Sequence, residues 1–266
     1  MSGVGKYNKR VENVNSLVCV GLDPDFEKLP EKFKSLKHPQ FEFNKWIIQE
    51  THEYVAAYKP NMGSYEVRGK DGWGDLQITM DYLQDSYPDI FTISDAKRGD
   101  IGYTNELYAK AIFDTLGFDA VTLHPYLGQE ALKPFLDRTD KVSIILCRTS
   151  NPGAGELQDL ELAGKKLWEI VAEKVSKEWN YNNNCMLVVG ATYPEELKKV
   201  REITGETTFL VPGFGTQGGS VKEVMESGLN FQKAGLIISS SKAIIFADNP
   251  GEEARSLRDE ANKYRQ

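Results

Sequence analysis

Short runs of β-branched and other apolar residues recur along the chain, and the stretches between them repeat apolar residues at helical spacing among charges. A continuous apolar run of this length suits a strand buried on both faces, as in a parallel sheet whose crossover helices cover it. Eight such runs stand out, at 17–22, 54–58, 90–94, 120–123, 142–147, 186–190, 208–211 and 235–239. Helical periodicity is clearest at 41–53, 103–116, 160–178 and 194–203. Eight βα alternations predict a (β/α)8 TIM barrel, read as a single domain over residues 1–266 with a short polar N-terminal extension. The Asn-rich stretch 180–184 reads as a loop before the sixth strand. Residues 62–75, rich in Gly and charge, exceed what a tight connection needs and fit either a lid or a plain insertion.

Composition adds limits rather than direction. An apolar fraction of 40% with 27% charged residues is ordinary for a globular chain. The 32 Lys and Arg against 39 Asp and Glu give a net charge of -7, which disfavours nonspecific attraction to nucleic acid or to an anionic membrane. Any anionic ligand must therefore be held locally. Residues 1–12 are polar and mixed in charge, with no apolar run suited to a signal peptide or a membrane span, so a cytoplasmic location is expected. Cys19, Cys147 and Cys185 form no C-x-x-C pair and read as buried, reduced thiols, and His38, His52 and His124 are too scattered for a metal cluster. Neither a metal nor a cofactor is expected.

In this architecture chemistry gathers at the C-terminal ends of the strands. The residues there are polar: Asp23 after the first run, Lys59 and Asn61 after the second, Asp95 and Lys97 after the third, Thr149, Ser150 and Asn151 after the fifth. The densest stretch is D-A-K-R-G-D-I-G, Asp95 to Gly102. It reads either as a solvated turn with Asp100 capping a helix that begins near Tyr103, or as part of a charged site. Lys59 favours the second reading, because a lysine following an apolar run should point into the barrel mouth beside Asp95 and Lys97. Alternating carboxylates and ammoniums a few ångströms apart keep one another ionised, each opposite neighbour contributing on the order of 4 kcal/mol at an effective dielectric near 20. A lysine so held can deliver a proton to a developing carbanion. The last two strands lead into V-P-G-F-G-T-Q-G-G (Val211 to Gly219, including Gly215) and I-I-S-S-S-K-A (Ile237 to Ala243). Loops at these places commonly bind phosphate. The glycines could serve turns alone, but the loops also offer Gln217, Ser240, Ser241 and Lys242 as donors.

From G-L-D-P-D at Gly21 to A-D-N-P at Ala247 the chain resembles the orotidine 5'-monophosphate decarboxylase family. The most specific element is D-x-K-x-x-D-I-x-x-T, present as Asp95, Lys97, Asp100, Ile101 and Thr104 and preceded by Lys59 in A-Y-K-P-N. T-S-N-P-G at Thr149 to Gly153 and the spacing of L-D-P-D point to the bacterial-type branch, type 2. The resemblance implies cofactor-free decarboxylation of orotidine 5'-monophosphate (OMP) to uridine 5'-monophosphate (UMP) and CO2, the last step of de novo UMP biosynthesis, by a homodimer. It implies that Asp23 binds a ribose hydroxyl, that Lys59 and Asp95 flank the reacting carboxylate, and that Lys97 protonates C6. Asp100, Ile101 and Thr104 would act across the dimer. Ser150 would bond the pyrimidine, Gln217 would link ring and phosphate, and Gly215, Ser241 and Lys242 would hold the phosphate. Loops 153–158 and 214–219 would close over the substrate.

One position departs from the family pattern: Lys242 stands where an arginine is usual, supplying charge without a bidentate fork. Two alternatives frame the reading. A Mg-dependent sugar-phosphate decarboxylase or aldolase of the same barrel superfamily needs an acidic metal ligand where Lys59 stands. A catalytically silent barrel that binds a phosphorylated ligand predicts a broken constellation, and here every charged member is present.

Overall fold

The computed structural model describes residues 2–213 and 220–266. Among them, eight parallel strands close into a barrel: β1 (Val18–Gly21), β2 (Ala57–Lys59), β3 (Phe91–Arg98), β4 (Ala120–Leu123), β5 (Val142–Arg148), β6 (Cys185–Val189), β7 (Phe209–Pro212) and β8 (Leu236–Ser240). Each pairs with its sequence neighbours, and Val18 opposite Ile238 closes the ring. Strands β1, β4 and β5 are buried at every position, which is why the sequence shows them as unbroken apolar runs. Only the second run is displaced, since His52–Tyr54 forms a tight helical turn and pairing begins at Ala57.

Strand β3 departs from regular pairing where the chemistry-bearing residues lie. Ser94 opposes Val121 and Arg98 opposes Leu123, so four steps on β3 match two on β4. The intervening residues 95–97 bulge over Thr122, and a bulge of this kind re-aims side chains at a barrel rim.

The outer ring comprises α2 (Pro39–Thr51), α3 (Gly69–Ser86), α4 (Gly102–Ala109), α5 (Gly128–Leu136), α6 (Leu167–Lys174), α7 (Pro194–Thr204), α8 (Val221–Gly228) and α9 (Pro250–Asn262). Three of these start on proline, whose missing N–H costs nothing in a first turn, and Glu195 and Glu196 complement the positive end of α7. Two expectations need correction. Residues 62–75 are helical rather than a loop, falling in the turn Gly63–Glu66 and the start of α3. Their charge is partly internal: buried Asp75 accepts from Arg68 Nη1 at 2.9 Å and from the Gln40 N–H at 3.2 Å, and contacts His38 Nδ1 at 3.0 Å. The helix expected over 160–178 begins only at Leu167, because Glu161–Leu162 and Lys165–Lys166 pair as an antiparallel hairpin through Ala163 and Gly164, both left-handed.

The N-terminal stretch is likewise more than an extension. Ser2 caps the first helix, α1 (Gly3–Val14), whose Tyr7, Arg10 and Val11 are buried against the strands' N-terminal ends. Tyr7 Oη donates to the Leu236 carbonyl, Arg10 Nε to the Val55 carbonyl, and Lys6 pairs with Asp119 at 2.7 Å. The helix plugs the end of the barrel opposite the site.

Candidate active site

A single carboxylate organises the barrel mouth. Asp95 Oδ2 accepts from Lys59 Nζ at 3.1 Å and Asn61 Nδ2 at 3.4 Å, while Oδ1 accepts from Lys97 Nζ at 2.6 Å and Thr122 Oγ1 at 3.0 Å. Burial by itself would raise the Asp95 carboxyl, but the Lys59 and Lys97 ammoniums outweigh it and hold the group well below the usual carboxylate range. Burial pulls Lys59 the other way, and Asp95 and Asp23 overcome it to keep this lysine above its ordinary value. The lysines are not equivalent. The Lys59 side chain is 7% exposed and that of Lys97 45%, so Lys59 is locked beneath the carboxylate while Lys97 faces the mouth. Beneath them, burial pushes the Cys19 thiol up to about 12; Cys19, Cys147 and Cys185 are all buried and free.

The rim is assembled from separate loops. Asp23 Oδ1 accepts the Asn61 N–H at 2.8 Å, tying the loop after β1 to the end of β2. Ser241 reaches the same corner, because a Cβ at Gly21 would lie 2.6 Å from Ser241 Cβ and 2.8 Å from Asp23 Oδ2. Only glycine lets those loops converge there. Lys242 opens a short helical turn after β8 and is exposed. It is close enough to add to the depression of the Asp25 carboxyl, which arises first from the hydrogen bond with Lys28. Ser150 lies in the loop after β5 and lines the cavity, whereas Gly215 and Gln217 fall outside the described residues.

Asp100, Ile101 and Thr104 stand apart from this cluster. Asp100 does not cap the following helix: Asn105 does the local bonding instead, accepting the Asp100 N–H at 3.1 Å and donating to its carbonyl at 2.6 Å. The Asp100 carboxylate accepts from the Ile101 N–H at 2.7 Å, and Ile101, in extended backbone, precedes α4. Ile101 is 63% exposed and Tyr103 68%.

Several residues at the site escape a reading by strand ends. Thr122 sits inside a buried strand run, where a β-branched residue reads as core. His124 follows β4 directly and lines the cavity; burial first, then the Lys97 charge, lowers its pKa. Arg148, the last residue of β5, is buried and pairs with Glu196 at 2.5 Å and Asp159 at 3.3 Å. With Gln158, which accepts the Thr149 N–H at 2.9 Å, it fastens the segment expected as a loop, which folds into the short helical turns Pro152–Ala154 and Gly155–Gln158, against α7. Its signal was only that of position, one residue beyond the apolar run.

Lys59, Asp95, Lys97, His124, Ser150 and Trp168, among others, line a cavity of about 1050 Å³, and Asp23, Ser241 and Lys242 are not among its lining residues. The volume is ample for a nucleotide. Among the described residues, no group of three or more His, Cys, Asp or Glu is placed to hold a metal ion, and no helix is long and apolar enough to cross a membrane.

A sequence model of the orotidine 5'-phosphate decarboxylase / HUMPS family matches residues 16–257. Orotidine 5'-phosphate decarboxylase of Christiangramia forsetii is 50% identical over 244 residues, covering 92% of this chain and 89% of the relative. That of Flavobacterium johnsoniae is 46% identical, covering 98% and 95%. The structure of Leishmania donovani OMP decarboxylase superposes with a TM-score of 0.90 at 38% identity, covering 100% of this chain and 99% of the other.

Proposed function

Because the chain belongs to the orotidine 5'-phosphate decarboxylase family and decarboxylates OMP to UMP in UMP biosynthesis, we propose that Lys97 is the group that protonates C6. The observation that carries this is the asymmetry of the two lysines on Asp95: Lys59 is enclosed, and Lys97 reaches the mouth while still held at 2.6 Å. Loss of CO2 from C6 leaves an electron pair in the ring plane, where the pyrimidine π system does not delocalise it. A positioned ammonium stabilises that developing charge and then delivers its proton. Asp95 disfavours a substrate carboxylate placed against it and keeps Lys97 aimed at the vacated position. The test is turnover of OMP by a Lys97→Ala variant that still binds UMP.

Remote groups hold the rest of the nucleotide in this reading. Asp23 takes a ribose hydroxyl, Ser150 the pyrimidine, and Gln217, Gly215, Ser241 and Lys242 the phosphate. Binding energy from these non-reacting parts supports the strained arrangement at the reacting carbon. Lys242→Ala should raise KM for OMP about 10- to 100-fold with a smaller change in kcat, as expected for one charge-assisted phosphate contact. Steady-state kinetics decide it, and an unchanged KM would put the phosphate elsewhere.

The working unit is a homodimer in which Asp100, Ile101 and Thr104 of one subunit complete the site of the other. Support comes from the exposed Ile101 and Tyr103 in that segment and from the local bonding of Asp100, which takes no part in the Asp95 hydrogen bonds among the described residues. The partner set is thus a nucleotide and a second copy of the chain, with no nucleic acid and no membrane, and the location is the cytoplasm. The net charge of -7 supports the exclusion of nucleic acid and of an anionic membrane surface.

A further inference from the structure

We infer that Thr122 is a positioning residue for the decarboxylation: its hydroxyl, placed opposite the bulge in β3, sets both the backbone of Lys97 and the carboxylate that aims its ammonium. The inference rests on the assignment of Lys97 as proton donor. Thr122 is completely buried between two residues that pair regularly with β3, Val121 opposite Ser94 and Leu123 opposite Arg98. Its own partner residues have been pushed out of the ladder. The Lys97 N–H donates instead to Thr122 Oγ1 at 2.9 Å, and Oγ1 donates to Asp95 Oδ1 at 3.0 Å. Because a carboxylate can only accept, the hydroxyl proton is committed to Asp95 and a lone pair is left for the Lys97 N–H. The two bonds run in one direction and form a closed path: Lys97 main chain to Thr122, Thr122 to Asp95, and Asp95 back to Lys97 Nζ at 2.6 Å.

Lys97 needs such a tether. Its φ is 45°, in the left-handed region that a side chain with a Cβ seldom adopts. Conformations of this kind persist only where the surroundings over-determine them. The β-branched Thr122 is stiff at χ1, so the hydroxyl is presented in one place before substrate arrives. A serine keeps both bonds; a valine keeps the shape and loses both.

The experiment compares Thr122→Val, Thr122→Ser and Lys97→Ala with the wild type in OMP turnover, with thermal unfolding measured alongside. A loss of kcat by about 10- to 100-fold in Thr122→Val, with KM changed less than about threefold and recovery to within about threefold in Thr122→Ser, is the expected result for lost preorganisation. Should Thr122→Val fail to fold, Thr122→Ala, which adds no bulk, is read by the same criteria. Near-normal kcat in the folded Val or Ala variant, or a loss that Ser does not recover, overturns the positioning role while an inactive Lys97→Ala leaves the donor assignment standing. Near-normal turnover by Lys97→Ala instead removes the donor assignment on which this role rests.

Discussion

Lys97→Ala is expected to lower OMP turnover by at least about 10⁴-fold, the upper range for removing a positioned general acid, while UMP binding remains measurable. Truncation leaves the fold little to lose. The side chain is 45% exposed, and Asp95 keeps Lys59, Asn61 and Thr122 as partners. The loss therefore falls on the reacting centre, where both the cation beside the developing carbanion and the proton it delivers have gone. Rapid-mixing or steady-state absorbance at saturating OMP, with calorimetric titration of UMP, separates chemistry from binding. Turnover within about tenfold of wild type would remove Lys97 from the proton-donor role.

The second large effect concerns the shared site. Lys97→Ala and Asp100→Ala homodimers should each be nearly inactive, and mixing them under conditions of subunit exchange should restore roughly a quarter of wild-type specific activity. The arithmetic follows from two-fold symmetry: about half of the dimers are mixed, and each carries one fully native site and one doubly defective one. Should Asp100 act within its own subunit, no mixed site is intact and activity stays at the level of the separate variants. The structure makes this a sharp test, because among the described residues Asp100 bonds locally, with Ile101 and Asn105, on a segment whose Ile101 and Tyr103 are exposed.

What the sequence made legible follows from burial. Strands enclosed on both faces appear as apolar runs, so the expected bounds coincide with the observed ones for β4 and lie within one residue for most others, while β2 is displaced and β3 runs on to Arg98. The polar residues directly after those runs include Lys59, Asp95 and Lys97, which the barrel brings within hydrogen-bonding distance around one carboxylate. What escaped depends on long-range geometry. Nothing in the identity of Thr122 marks it as lying opposite a bulge, since the bulge is a matter of register between two strands. The 161–166 hairpin turns on Ala163–Gly164, which lacks the Asn or Asp that usually announces such a turn. Residues 62–75 read from their Gly and charge as a lid or an insertion, and nothing in that pattern announces that Asp75 and Arg68 meet inside the fold. Gly215 and Gln217 lie outside the described residues, so their assignment to the substrate rests on sequence.

The most direct test of the account is the ultraviolet absorbance change on mixing the purified protein with OMP in the presence of EDTA, as the pyrimidine loses its conjugated carboxylate. Conversion to UMP at a rate unaffected by the chelator is the predicted result, since electrostatics and protein-borne proton transfer carry the reaction. Absence of conversion by folded protein, or conversion that stops with EDTA and returns with added Mg²⁺, would contradict it.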